Sequence, residues 1–368
     1  MVTLKGLYRA AKLMRDYFFD YDGALQREFE SVSGLPYAKD PQHKAEFRQI
    51  RSDLAAAFAR MPIGDHLAEI ERRLNGTRAS GATMSNMMPH YALLMDELTE
   101  YILRNGREPE QLETLLPVYE TWWKANRQSP SAAAAYAYAL GTTGKCWRGN
   151  GWAKDVSNEA WDKLEHYVDG ARAIMNESAP MAGDCLIWHT LNMRLGLIEG
   201  ADRQTMAVRF ERVQDLDPYN PSIYHDRLIQ LLPRWGGSFA EMEVFAKQSA
   251  SRTSDRFGNL LYARISWNAL KFEHANNLLI DRALMLEGLD DWLRVHPSQG
   301  VANLYACHAH YQEKLDIVRR LFEEHIKEIH IDAWFQPHQP YQAFQACGLL
   351  DKRTAKDRVM VRRSRGYA

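Results

Sequence analysis

The sequence has almost no excess of charge of either sign: Lys and Arg total 46 against 47 Asp and Glu. That balance excludes a polyelectrolyte drawn as a whole onto nucleic acid or an anionic membrane, and leaves only local contacts of that kind. Cysteine is scarce. Cys146, Cys185, Cys307 and Cys347 are scattered without a C-x-x-C pair, which argues against a disulfide framework and suits unpaired thiols in a reducing cytoplasm. No long apolar run is present either. Lys5, Arg9, Lys12 and Arg15 interrupt the N-terminal stretch from Met1 to Phe19, and no small-residue cleavage site follows, so neither a signal peptide nor a membrane span is expected. The sequence also lacks Gly-x-Ser-x-Gly, Gly-x-x-x-x-Gly-Lys-Ser/Thr and His-Glu-x-x-His, which removes the easily recognised hydrolases, nucleotide-binding loops and zincins. Period-two alternation persists nowhere, so strands are not expected.

What is present is helical spacing. Apolar residues make up 46% and charged residues 25%, the proportions of a folded chain. Ten Trp and seventeen Tyr need burial with their polar tips satisfied, which helix–helix seams provide. Leu4, Leu7, Tyr8, Ala11 and Met14 fall on one stripe of a helix, and Phe47, Ile50, Leu54 and Phe58 repeat that spacing between breaks at Gly34–Pro36 and Met61–Gly64. Two longer helices are expected between Met84 and Trp123, with a left-handed turn at Asn105-Gly106. The run 75–83, Asn-Gly-Thr-Arg-Ala-Ser-Gly-Ala-Thr, has the composition of a linker.

The middle is more regular. Ser129-Pro130, Ala179-Pro180 and Asn220-Pro221 each precede a new periodic segment, with proline suited to the first helical turn. Between the last two, Cys185, Trp188, Leu191 and Leu195 form one stripe, and Ala207, Phe210, Val213 and Leu216 a second, before Asp217-Pro218-Tyr219-Asn220-Pro221. A helix pair that cannot bury its apolar faces alone has this pattern. The segment resembles tetratricopeptide (TPR) repeats, whose second helix commonly closes on a similar Asp-Pro-x-x-Pro ending. Later helices follow from Phe239, Leu260, Leu284, Val301 and Leu315, which carries the paired pattern to about Lys327. The expected fold is therefore all-α. TPR-like hairpins stack as a solenoid over 127–350, an N-terminal helical cap or subdomain covers 1–126, and a basic tail covers 351–368.

Two connections stand out: Cys146-Trp147-Arg148-Gly149-Asn150-Gly151-Trp152-Ala153 and Leu232-Pro233-Arg234-Trp235-Gly236-Gly237-Ser238. Ser238 with Glu241 has the spacing of a capping box, and Ser157 is placed to cap the helix after the first connection. Together these segments resemble an uncharacterised bacterial helical family that carries an Arg-Gly-x-Gly-aromatic-Ala element and a Pro-Arg-Trp-Gly-Gly-Ser element. That resemblance covers roughly residues 130–255 and implies a TPR-like fold without a defined activity. Two readings of Trp147, Arg148, Trp152, Arg234, Trp235, Gly236 and Gly237 stand side by side. In one, the glycines permit sharp turns, the tryptophans plug gaps between helix pairs and the arginines bond helix-end carbonyls. In the other, both loops line one pocket and the two guanidiniums grip a carboxylate or phosphate.

Other chemistry is thinner. Cys307, His308 and His310, with His325, His330 and His338 downstream, invite a metal reading. At about 100° per residue, however, His308 and His310 point to nearly opposite sides of a helix, so no metal site or cofactor is assigned. Tyr224-His225-Asp226 places a base beside an acid, but helix neighbours diverge. From Lys352 to Ala368 seven basic residues face only Asp357, which leaves nucleic acid as a contact for the tail alone. The function expected is a cytoplasmic interaction module (scaffold, adaptor or toxin-neutralising immunity protein) that holds a protein or peptide on a helical-repeat groove. The competing expectation is an enzyme or small-anion sensor with Arg148 and Arg234 in one pocket.

Overall fold

The computed structural model describes residues 21–350 apart from 39–41, 107 and 275–276. The stripe expected from Leu4 to Met14 and the basic tail from Lys352 lie outside the described residues. Among the described residues the chain is all-α, as the periodicity predicts. Those described residues form seventeen α-helices and no strand, with isolated bridges at Tyr37–Ile329 and Thr83–Pro89. No described helix is long and apolar enough to cross a membrane.

The helices are α1 (Tyr21–Ser33), α2 (Gln42–Phe58), α3 (His66–Ser80), α4 (His90–Asn105), α5 (Pro109–Ala125), α6 (Pro130–Arg148), α7 (Asn158–Ser178), α8 (Leu186–Ile198), α9 (Arg203–Leu216), α10 (Pro221–Gln230), α11 (Phe239–Arg252), α12 (Ser254–Phe257), α13 (Leu260–Ala269), α14 (Arg282–Val295), α15 (Gln299–Tyr311), α16 (Leu315–Arg320) and α17 (Gln339–Ala346). Their starts follow capping chemistry. The side chains of Ser129, Ser157, Asp202, Asn220, Asp281 and Ser298 each accept a backbone N–H of the first turn, satisfying donors that the helix itself leaves unpaired. Pro109, Pro130 and Pro221 occupy the first turns of α5, α6 and α10, where a missing N–H costs nothing.

Three local expectations are corrected. Residues 75–80 are helical, because α3 packs along α4 and runs to Ser80; Leu67, Ile70 and Leu74 are buried in that seam, and packing overrides a linker-like composition. Pro180 sits in a 3-10 turn, Ala179–Met181, that prolongs the end of α7, and the next helix waits until Leu186. Gly106 ends α4 in an extended conformation rather than a left-handed one (φ −143°, ψ 141°).

Contacts group the chain into two compact units. The larger comprises 43–253 and 268–279. Its centre is α6, in which Ala132 to Ala135, Ala137 and Ala139 are all buried, so α5, α7 and α8 can approach its backbone closely. Side by side, α6 and α8 run parallel: Ser131 at the start of α6 meets Cys185 at the start of α8, and Gly141 lies against Leu195 and Ile198 further along. The return helices run antiparallel to them, as Gly144 against Leu164 and Tyr167 shows for α7, and Arg212 against Asp184 for α9. The α10 helix continues the row, with Asp226 bonded to Arg194 of α8 at 2.7 Å. The turns 149–157 and 199–202 therefore lie on one edge of successive antiparallel pairs, and 231–238 lies beside 199–202 on that edge, since Leu231, Trp235 and Gly237 line one pocket with Gly200 and Ala201.

The described residues of the smaller unit are 21–38, 42, 254–267 and 280–350. Phe29 is buried and makes edge contacts with Tyr37, Tyr341 and Phe344. Fully buried Asn303 of α15 is satisfied on both sides of its amide: it donates to the carbonyls of Gln299 and Glu328 at 2.9 Å, and accepts from Trp334 Nε1 at 3.0 Å and the His330 N–H at 3.2 Å. A satisfied buried amide of this kind fixes the conformation of 328–334 against α15.

Candidate functional site

The first Trp-Arg-Gly connection is tied into its own surroundings. Trp147 lies in the last turn of α6, and its Nε1 donates to Glu113 Oε1 of α5 at 3.0 Å. The same oxygen accepts from Tyr167 Oη at 2.6 Å and Lys163 Nζ at 3.2 Å, and the Lys163 ammonium lies 4.7 Å from the centre of the Trp147 ring. The hydrogen bond from Tyr167, helped by Lys163 and Trp147, holds the Glu113 carboxyl below its usual range; burial and that carboxylate keep the Tyr167 phenol protonated. Arg148 folds back on the turn, donating through Nη1 to the carbonyls of Gly149 at 3.0 Å and Gly151 at 2.6 Å, with its guanidinium 5.3 Å from the Trp161 ring. Gly149 takes φ +71° and ψ −173°, a conformation essentially confined to glycine. Trp152, which follows, is 79% exposed.

The second connection is built differently. Pro233–Trp235 forms a 3-10 turn closed by Gly236 at φ +82°. Gly237 is pressed against the preceding chain, since a Cβ there would sit 2.0 Å from the Leu231 carbonyl oxygen. Ser238 Oγ accepts the Glu241 N–H at 3.2 Å and donates to the Glu241 carboxylate at 2.7 Å. The expected capping box is thus half formed, because Glu241 turns to Ser238 Oγ and to Arg203 Nη1 at 2.8 Å. Arg234 is exposed, with its guanidinium 5.6 Å from the Phe272 ring, and Trp235 is 52% exposed.

Trp235 and Gly237 line a pocket of about 270 Å³ between the ends of α8 and α10, together with Arg203, Met206, Arg227 and Glu241. No residue of 146–153 and no Arg234 lines it. The two connections share an edge of the helix pairs without sharing this pocket.

Away from that edge, the first helices of the pairs carry a charged cluster. Arg194 of α8 donates to Asp226 of α10 at 2.7 Å and to Asp96 of α4 at 2.9 Å. Burial raises the carboxyl of Asp226 above its ordinary value, against the pull of Arg194. A charge cluster so held ties three helices from separate pairs, and losing Arg194 leaves two acids uncompensated. Asp226 is thereby engaged with Arg194.

In the smaller unit, Cys307 and His308 are buried in α15. His308 has edge-on contacts with Trp267 and Phe335, and burial pushes its imidazole down to about 4 and the Cys307 thiol up to about 12. Among the described residues no group of three or more His, Cys, Asp or Glu side chains is placed to hold a metal ion.

The residues that composition could not announce are Glu113, Arg203 and Arg227. Glu113 is 34 residues before Trp147 and converges on it only through the packing of α5 on α6. The pocket unites residues spread from Gly196 to Glu241. No known protein family, curated protein or solved structure matches the chain.

Proposed function

We propose that this chain is an interaction protein whose helix pairs stack as a TPR-like solenoid and hold a protein or peptide partner along the edge formed by the first-to-second-helix turns. The observation that carries this reading is the placement of Trp152 and Trp235, 79% and 52% exposed, each on the turn of a Trp-Arg-Gly connection. Large indoles kept in water on rigid turns suit the role of interface anchors, where aromatic side chains supply much of the binding energy. Three parallel first helices separate the two turns by roughly 16–20 Å, taking about 8–10 Å per helix contact. That spacing matches an extended partner better than a small molecule. The packing of α6 on α5, α7 and α8, and of α9 on α8, supports the solenoid and adds nothing about the partner.

The competing reading, an enzyme or anion sensor with Arg148 and Arg234 in one pocket, has less support. Arg148 is engaged by the carbonyls of its own turn, and the pocket beside Trp235 contains neither arginine. Affinity capture from the source organism tests the proposal, comparing the parent chain with a Trp152→Ala/Trp235→Ala double variant and with Val208→Ala, which alters an exposed side chain on α9. The proposal expects a specific partner that the double variant loses and Val208→Ala keeps. Identical partners for all three chains would reject the turn edge as the binding surface.

A further inference from the structure

The pocket beside Trp235 has an unbalanced interior. Arg203 and Arg227 face a single acid, Glu241, and that carboxylate is already taken by Arg203 at 2.8 Å and by the Ser238 hydroxyl at 2.7 Å. Arg227, half-buried, has one side-chain hydrogen bond, from Nη1 to Gln230 Oε1 at 3.0 Å, and no ion pair among the described residues. Its guanidinium lies 5.9 Å from the Phe210 ring. Burial lowers its affinity for the proton, against the weaker influence of Glu241 and Glu211. A half-buried cation without a direct ion-pair partner is a cost to the free protein that a bound anion lowers. The flanking indole N–H of Trp235 makes no hydrogen bond among the described residues, and Met206 gives the pocket an apolar wall.

We infer that this pocket binds a carboxylate carried on a short aliphatic stem, with the free N–H groups of Arg227 as the anchor and the Trp235 indole as the wall. The volume of about 270 Å³ admits a group the size of a glutamyl side chain and falls short of the usual range for drug-sized ligands. A planar guanidinium fork suits a carboxylate. The assignment deepens the partner reading by naming the chemistry that the second turn recognises, and rests on that reading only for where the carboxylate comes from. A glutamyl side chain of a bound segment and a free short-chain dicarboxylate both supply it.

The test is calorimetric titration of the full chain with three probes: glutarate, an acetylated and amidated Ala-Ala-Glu-Ala-Ala peptide, and the same peptide with Gln for Glu. At least one Glu or glutarate probe is expected to bind and the Gln peptide not to. Arg227→Gln should lower that affinity about tenfold or more, as for loss of a charge-assisted bidentate pair. Arg319→Gln, on an exposed face of α16, should leave it unchanged. If Arg227→Gln fails to fold by circular dichroism, Arg227→Lys carries the test, with about a threefold or larger loss because lysine lacks the fork. Binding of glutarate alone supports the pocket with a free ligand; binding of the Glu peptide supports it with a partner segment. No carboxylate binding, or binding indifferent to both Arg227 variants, overturns the inference. Capture of a partner lost in Trp152→Ala/Trp235→Ala, together with that null titration, would leave the partner reading standing without it.

Discussion

The connections 146–153 and 232–238 hold the same three residue types at the first-to-second-helix junction of a pair, yet they use them in opposite ways. In the first, Trp147 and Arg148 are consumed internally: the indole N–H joins Lys163 and Tyr167 on Glu113, and the guanidinium braces two carbonyls of its own turn. In the second, the glycines carry the structure, and both Trp235 and Arg234 are left in solvent. Residue type alone therefore does not separate packing from recognition. What decides is whether an element elsewhere in the chain, such as Glu113 on α5, arrives to engage the side chain.

Substitutions that treat the two turns alike should expose the difference. The largest effect is expected at Gly237. Alanine there must displace the Leu231 backbone, whose carbonyl oxygen, carbon and Cα would lie 2.0, 2.4 and 2.7 Å from the new Cβ, a loss of about 3 kcal/mol or more in urea unfolding. Gly149→Ala meets no atom within 4 Å but must hold a glycine-only conformation, at about 1–3 kcal/mol. Equal costs at the two glycines would break the comparison.

Glu113→Gln comes next, with about 1–2 kcal/mol for weakened charge-assisted hydrogen bonds from Tyr167, Lys163 and Trp147. Its sign with pH is fixed. The folded carboxyl titrates below its unfolded value, so its contribution is complete above the ordinary carboxylate range and is lost as pH falls through the lower folded value. Unfolding midpoints across that acid range should therefore fall more steeply in the parent chain than in Glu113→Gln. Parallel profiles would remove Glu113 from the account.

Smaller still is the tryptophan pair. Trp147→Phe forfeits a hydrogen bond to a charged acceptor, at about 1 kcal/mol or somewhat more, whereas Trp235→Phe, having none to lose, should stay within about 0.5 kcal/mol. The arginines come last. Arg148→Ala should cost about 0.5–1 kcal/mol through the two turn carbonyls, and Arg234→Ala should be neutral within about 0.5 kcal/mol. Thermal or urea unfolding of the four variants checks both pairs.

Much of the architecture is legible in the sequence because helix geometry is written locally. Phe47, Ile50, Leu54 and Phe58 fall on α2, Trp188, Leu191 and Leu195 on α8, and Ser157 caps α7 by its own hydroxyl. The misreadings share one cause. Residues 75–80 look like a linker until Leu67, Ile70 and Leu74 are seen buried in the seam with α4, and Ala179-Pro180 looks like a helix start until the chain is seen to turn once more before Leu186. The candidate site was only half readable. The Trp-Arg-Gly motifs mark where the turns are. Glu113, Arg203 and Arg227 become partners of those turns only through packing between helices far apart in sequence, which no local spacing records.

The central claim is that the edge formed by these turns faces a partner, and site-specific photo-crosslinking in the source organism tests it most directly. A photoreactive phenylalanine analogue would be placed singly at positions 152 and 235 and, as references, at Val208 and Val244, which are equally open (53% and 52% exposed) but lie on the second helices α9 and α11. The account predicts one and the same crosslinked partner from 152 and 235 and none from 208 or 244. Crosslinks of similar yield from all four positions, or from the second helices alone, would contradict it.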